Sequence, residues 1–158
     1  MKSFSFPSQH ASSDESAVLA LYQQVIEGWN LRDAEFMTAT FALDGEIIGF
    51  DGTQIVGKSE IASHLQEIFA HHLTPPYYTK VRSVRMLGPD FGLLRAVAGM
   101  IPSGQTELKP ELHTHQTLVA TKKGETWQVT LFQNTPAQYH GRPELVEQLT
   151  QELKEALN

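Results

Sequence analysis

At Thr74-Pro75-Pro76 the hydrophobic pattern of the chain changes period. Before it, apolar residues recur mainly at steps of three and four, as on one face of a helix. After it they alternate with polar residues, as on the two faces of a strand. Proline enforces the break, because it lacks an amide donor and restricts the residue before it. A chain that places helices first, then a long meander, then one more helix is α+β. Its helices are expected on one face of a strongly curved, mostly antiparallel sheet.

On the helical side, Ser12-x-x-Glu15 forms a capping-box pattern. Val18, Leu21, Tyr22, Val25, Ile26 and Trp29 then make one apolar face as far as Asn30. A second short helix is expected from Asp33 to about Phe41, with Phe36, Met37 and Phe41 inward. Trp29 and Phe41 suit either core packing or a cavity wall. A hairpin follows, Glu46–Phe50 and Thr53–Val56 around the turn dipeptide Asp51-Gly52. A third helix starts at Lys58 or Ser59, with Ile61, Leu65, Ile68, Phe69 and His72 near one side.

Beyond the prolines, strands are expected over Tyr78–Leu87, Phe91–Ile101, Glu111–Thr121 and Thr126–Asn134. Which alternating face of the last hairpin is concave stays open, since one bulge swaps the faces. Pro143 suits the first position of a final helix reaching about Leu157, with Leu145, Leu149, Leu153 and Leu157 as its stripe.

A chain of 158 residues has single-domain length. A net charge of −6 argues against non-specific nucleic-acid binding, which needs a basic face. No apolar run reaches the roughly 18 residues of a membrane span. Residues 1–11 have no apolar stretch and read as a loose terminus, not a signal peptide. The chain has no cysteine, which removes disulfides and thiolate chemistry and is compatible with a cytoplasmic location.

Several motifs invite chemistry. Gly52-Thr53-Gln54-Ile55-Val56-Gly57-Lys58-Ser59 matches the phosphate-loop pattern, but Thr53–Val56 reads as a strand of its own. Turn glycines flanking a strand explain it better. His113 and His115 share one strand face, as metal ligands, a polar pocket wall or an interfacial pair; two histidines alone make a poor metal site. No metal and no cofactor is expected. Arg95 interrupts an apolar run, so it either lines a pocket or enters a dimer face. Gln116 and Asn134 are amides among apolar strand residues, able to orient a ligand but not to act as a base. His140, in the loop His140-Gly141-Arg142-Pro143, is the best-placed group to titrate near neutral pH. Arg142 there needs a partner other than the helix dipole.

Taken together, these segments resemble a known superfamily. Gly28-Trp29-Asn30-Leu31-Arg32-Asp33-Ala34-Glu35 resembles the first helix junction of the nuclear transport factor 2-like superfamily, a cone-shaped α+β fold. Within it the chain is similar to the SgcJ/EcaC family. The segments that carry this are Phe50-Asp51-Gly52 with Gly57, Leu94–Met100, Gln116–Ala120, Phe132–Pro136 and His140–Pro143. The resemblance covers about residues 13–145. It implies a homodimer formed through the sheet and a pocket inside each cone. Ketosteroid-isomerase relatives carry a catalytic Asp just before the first hairpin turn; Gly49 stands there here, and Asp51 lies in the turn itself.

The expected organisation is a flexible tail over 1–11, a cone domain over 12–142 and an amphipathic helix over 143–158. The expected partner is a small hydrophobic molecule, with no nucleic acid and no membrane. Its lining would draw on Phe41, Phe50, Phe69, Arg95, Gln116, Phe132 and Asn134, with His140 nearby. The alternative is an isomerase, cyclase or oxidoreductase acting on a polyketide-like or other hydrophobic substrate. No catalytic residue is assigned.

Overall fold

A computed structural model describes residues 13–157. The Ser12 cap and the tail expected over 1–11 lie outside them. Helix α1 (Ser13–Asn30) begins with Asp14 and Glu15, acidic residues that favour a helix N-terminus. Helix α2 (Ala34–Thr38) follows, capped by Asp33, whose side chain accepts from the Phe36 amide at 3.0 Å. Strands β1 (Phe41–Ile48) and β2 (Gln54–Val56) make the small hairpin, and α3 (Lys58–His71) crosses back. Then come β3 (Tyr77–Met86), β4 (Phe91–Met100), β5 (Thr114–Lys123), β6 (Thr126–Pro136) and α4 (Pro143–Lys154). The strand order is β2-β1-β6-β5-β4-β3, antiparallel throughout except for the parallel β1–β6 pair.

The second helix is shorter than its sequence suggests, and Phe41 belongs to β1, paired with Val129 of β6. Phe36 points outward instead of into the core. The cause is an irregularity in β1, whose register against β6 shifts between Phe41 and Glu46. A shifted strand loses its period of two, so no alternation marks its start. Gly45 sits in that shift, where an added Cβ would lie 2.9 Å from the Val129 carbonyl oxygen. At the far end, Phe50 has left the strand for the turn, closed by Gly52 N–H donating to the Gly49 carbonyl at 2.9 Å.

The main core lies between α1–α3 and the concave sheet face. Val18, Tyr22 and Val25 of α1 meet Leu94, Leu118 and Phe132 of the strands. A bulge settles the face of the last hairpin: Val119 opposes Leu131 but Ala120 opposes Val129, so Thr130 is extra. Val129 and Phe132 thereby both turn inward, three residues apart.

Helix α4 packs on the other face of the sheet, where Leu149 and Leu153 join Val97, Leu108 and Ala137 in a second core. Leu157, the last residue of the predicted stripe, is exposed. Close approach is possible because Gly99 has no side chain; a Cβ there would come within 2.9 Å of Leu153 Cδ1. Arg82 holds Glu152 through two hydrogen bonds, of 3.2 and 2.7 Å, and Lys80 pairs with Glu155. Among the described residues no helix is long and apolar enough to cross a membrane.

Candidate functional site

The curvature of the sheet leaves one cavity of about 460 Å³ between the concave face, the β1–β2 turn and α3. Its size suits a small molecule. Met37, Ile47, Ile55, Leu65, Ile68 and Phe132 supply apolar wall. Trp29 closes one side, its indole 5.4 Å from the Phe69 ring and 5.3 Å from the Tyr77 ring. The indole N–H donates to the Pro75 carbonyl at 2.9 Å, so the proline pair that follows α3 also fixes this wall.

One polar chain reaches the cavity from behind. The Tyr22 hydroxyl donates to Gln116 Oε1 at 2.5 Å, and Gln116 Nε2 donates to Asn134 Oδ1 at 3.0 Å. Gln116 and Asn134 are direct partners across β5 and β6. Gln116 is wholly buried and Asn134 only 6% exposed, yet Asn134 lines the cavity. Burial raises the Tyr22 phenol pKa, opposed by the Thr79 hydroxyl, and burial raises that of Tyr77, opposed by the Gln116 amide. Both tyrosines therefore remain protonated donors.

At the rim, Asp51 Oδ1 accepts from the Thr53 amide at 2.9 Å. That backbone hydrogen bond, then the Thr53 side chain, hold the Asp51 carboxyl below the usual carboxylate range; His64 nearby adds to this. Asp51 is thus an ionised turn residue and a weak base. Among the described lining residues, the groups that can titrate are Asp51, His64 and Tyr77.

Phe50, Phe132 and Asn134 line this cavity. Gln116 stands one hydrogen bond behind it. Phe41 is core at 1% exposure, and Phe69 backs Trp29 without lining the cavity. Arg95 does not line this cavity. It is exposed and pairs in register with Thr117 and Ser83, with its neighbours Leu94 and Ala96 buried in the core on the concave side. His140 is exposed in the turn before α4 and also lies outside the cavity. Tyr22, Tyr77 and His64 were missed. A tyrosine on a wholly apolar helix face was the available signal, since a buried hydroxyl needs a partner.

His113, just before β5, and His115 within it serve separate contacts. His113 Nε2 meets Thr150 Oγ1 of α4 at 2.8 Å, and His115 Nε2 meets the Tyr139 hydroxyl at 3.3 Å. The phosphate-loop pattern is filled by β2, leaving no loop of free amides between its glycines.

No protein-family model matches the sequence, and no curated protein does. Solved structures do. A domain of unknown function with a cystatin-like fold, from Nostoc punctiforme, superposes with a TM-score of 0.77 at 26% identity, over 93% of this chain and 96% of that one. A ketosteroid isomerase-like protein from Erwinia carotovora atroseptica gives 0.65 at 15%, over 80% and 98%. A nuclear transport factor 2-like protein of unknown function from Pseudomonas putida gives 0.63 at 18%, over 79% and 87%. What these proteins share with this chain is the fold.

Proposed function

Because the chain has the cone fold of the nuclear transport factor 2-like superfamily, we propose that it is a binding protein for a small, mostly apolar molecule held in the cone. The observation that carries this is the cavity of about 460 Å³, mostly apolar in its walls, with the Asn134 amide among its few polar groups. An apolar ligand gains by leaving water for such a wall, and the amide orients it. Within the superfamily, the segments around Phe50-Asp51-Gly52 and Phe132–Pro136 support membership of the SgcJ/EcaC family. A cytoplasmic location belongs to the same proposal and rests on the cysteine-free sequence.

A homodimer through the outer sheet face completes it. Leu93, Val119 and Leu131 stand side by side across β4, β5 and β6, half-buried and not among the residues packed in either core. The alternative is an isomerase, cyclase or oxidoreductase acting on a polyketide-like or other hydrophobic substrate. It finds weaker support, because the carboxylate at the cavity is Asp51, whose turn holds it as a poor base.

The test is binding of phenylnaphthylamine, a neutral dye that fluoresces in apolar surroundings. The wild type is expected to bind it saturably, and Ile68→Arg, which places a cation in the wall, to lose it. No saturable binding by the wild type contradicts the proposal.

A further inference from the structure

We infer that the cavity selects its ligand through a hydrogen-bond acceptor, a carbonyl-type oxygen taken by the Asn134 amide, and that Tyr22 sets the direction of that amide from outside the cavity. This rests on the cavity being a small-molecule site.

The direction follows from the two hydrogen bonds. A phenol can donate or accept, and here Tyr22 donates to Gln116 Oε1. Gln116 therefore turns its nitrogen to Asn134 Oδ1. With its oxygen occupied, Asn134 faces the cavity with Nδ2, a group that only donates. Among the described residues this nitrogen has no partner, although Asn134 is 6% exposed. The nitrogen is reachable from the cavity, where a ligand oxygen can take the place of water on it. Charge narrows the class further. No lysine or arginine is among the described lining residues, and Asp51 stands at the rim. The one basic residue among the described lining residues, His64, already stands near the Asp51 carboxylate, so a carboxylate ligand would find no free counter-ion there. The fitting class is a neutral ketone, ester or amide on an apolar frame.

Asn134 is then a specificity residue, and Tyr22 and Gln116 are positioning residues. Three probes of similar shape separate the terms: acetonaphthone, isopropylnaphthalene and naphthoate, titrated by calorimetry into the full chain. The wild type is expected to prefer acetonaphthone to isopropylnaphthalene by about tenfold, the effect of one buried hydrogen bond, and to bind naphthoate weakest. Asn134→Leu is expected to lose that preference and bind both neutral probes equally. Tyr22→Phe is expected to narrow the ratio, a change that a purely structural loss would not produce because it lowers both affinities together. The wild type also supplies a test independent of any variant's folding: in ¹⁵N-labelled protein, the Asn134 side-chain amide signals shift with acetonaphthone and not with isopropylnaphthalene. Equal affinities in the wild type, or unmoved Asn134 signals in the ketone complex, overturn the inference while the cavity reading stands. Binding of neither neutral probe overturns both.

Discussion

Gln116 and Asn134 face each other across β5 and β6, and the amide of the first donates to the amide oxygen of the second at 3.0 Å. Behind them, Tyr22 donates to Gln116 at 2.5 Å. A helix and two strands are joined beside the cavity by two hydrogen bonds, so the polar chain is structural.

Gln116→Leu leaves the Tyr22 hydroxyl and the Asn134 oxygen buried without their partner. It is expected to destabilise the fold by about 2–6 kcal/mol, the sum for two orphaned groups. Adding Tyr22→Phe should recover part of the loss, because an apolar pair leaves nothing unmet on that side. Urea unfolding of the single and double variants checks both.

The α4 seam should be sensitive to acid. Burial lowers the His113 pKa from 6.5, against the pull of Glu111, and burial followed by Arg82 and Arg95 lowers that of His115, against the pull of Glu152. His113 Nδ1 is buried with no hydrogen bond. The folded state thus binds fewer protons than the unfolded one. Stability is full above pH 6.5 and falls as pH drops through the lowered folded values. Unfolding between about pH 8 and about pH 5 should show this slope, and His113→Gln should flatten it.

Gly99→Val places a side chain where Leu153 already sits, 2.9 Å from the position of a Cβ. Overpacking of this kind costs about 1–3 kcal/mol. The expected signature is local: faster hydrogen exchange in α4 than in β5, with the cavity unaffected.

Much of this was legible in the sequence. The change of period at Pro75-Pro76 separates helices from meander because side-chain direction follows backbone type. The residues that misled did so for definite reasons. Phe41 looked helical because the shift before Glu46 erases alternation in β1. Arg95 suited a pocket wall as well as a dimer face because apolar residues flank it, yet they lie on two faces: Leu94 and Ala96 in the core, Val97 under α4. Two outward positions before Val97, Arg95 is exposed. Tyr77 gave no signal beside the prolines, since its role depends on Trp29, far away in sequence.

The outer-face dimer is tested by Val119→Glu. The substitution sets a charge between Leu93 and Leu131 and should convert a dimeric wild type to monomer in sedimentation equilibrium. A monomeric wild type contradicts the dimer.

Asp51→Asn removes the rim carboxylate but keeps the turn oxygen. It should leave neutral-probe affinity within about twofold, as expected for a surface change away from the core. A large loss of affinity would place Asp51 at the centre of recognition instead.

The most direct measurement uses Trp29, which lines the cavity, whereas Trp127, the other tryptophan of the chain, binds Asp14 at 3.0 Å near the start of α1. In Trp127→Phe protein, emission comes from Trp29 alone. Titration with phenylnaphthylamine should quench it saturably with one probe per chain. Probe binding that leaves Trp29 emission unchanged would place the ligand elsewhere and contradict a binding site in the cone.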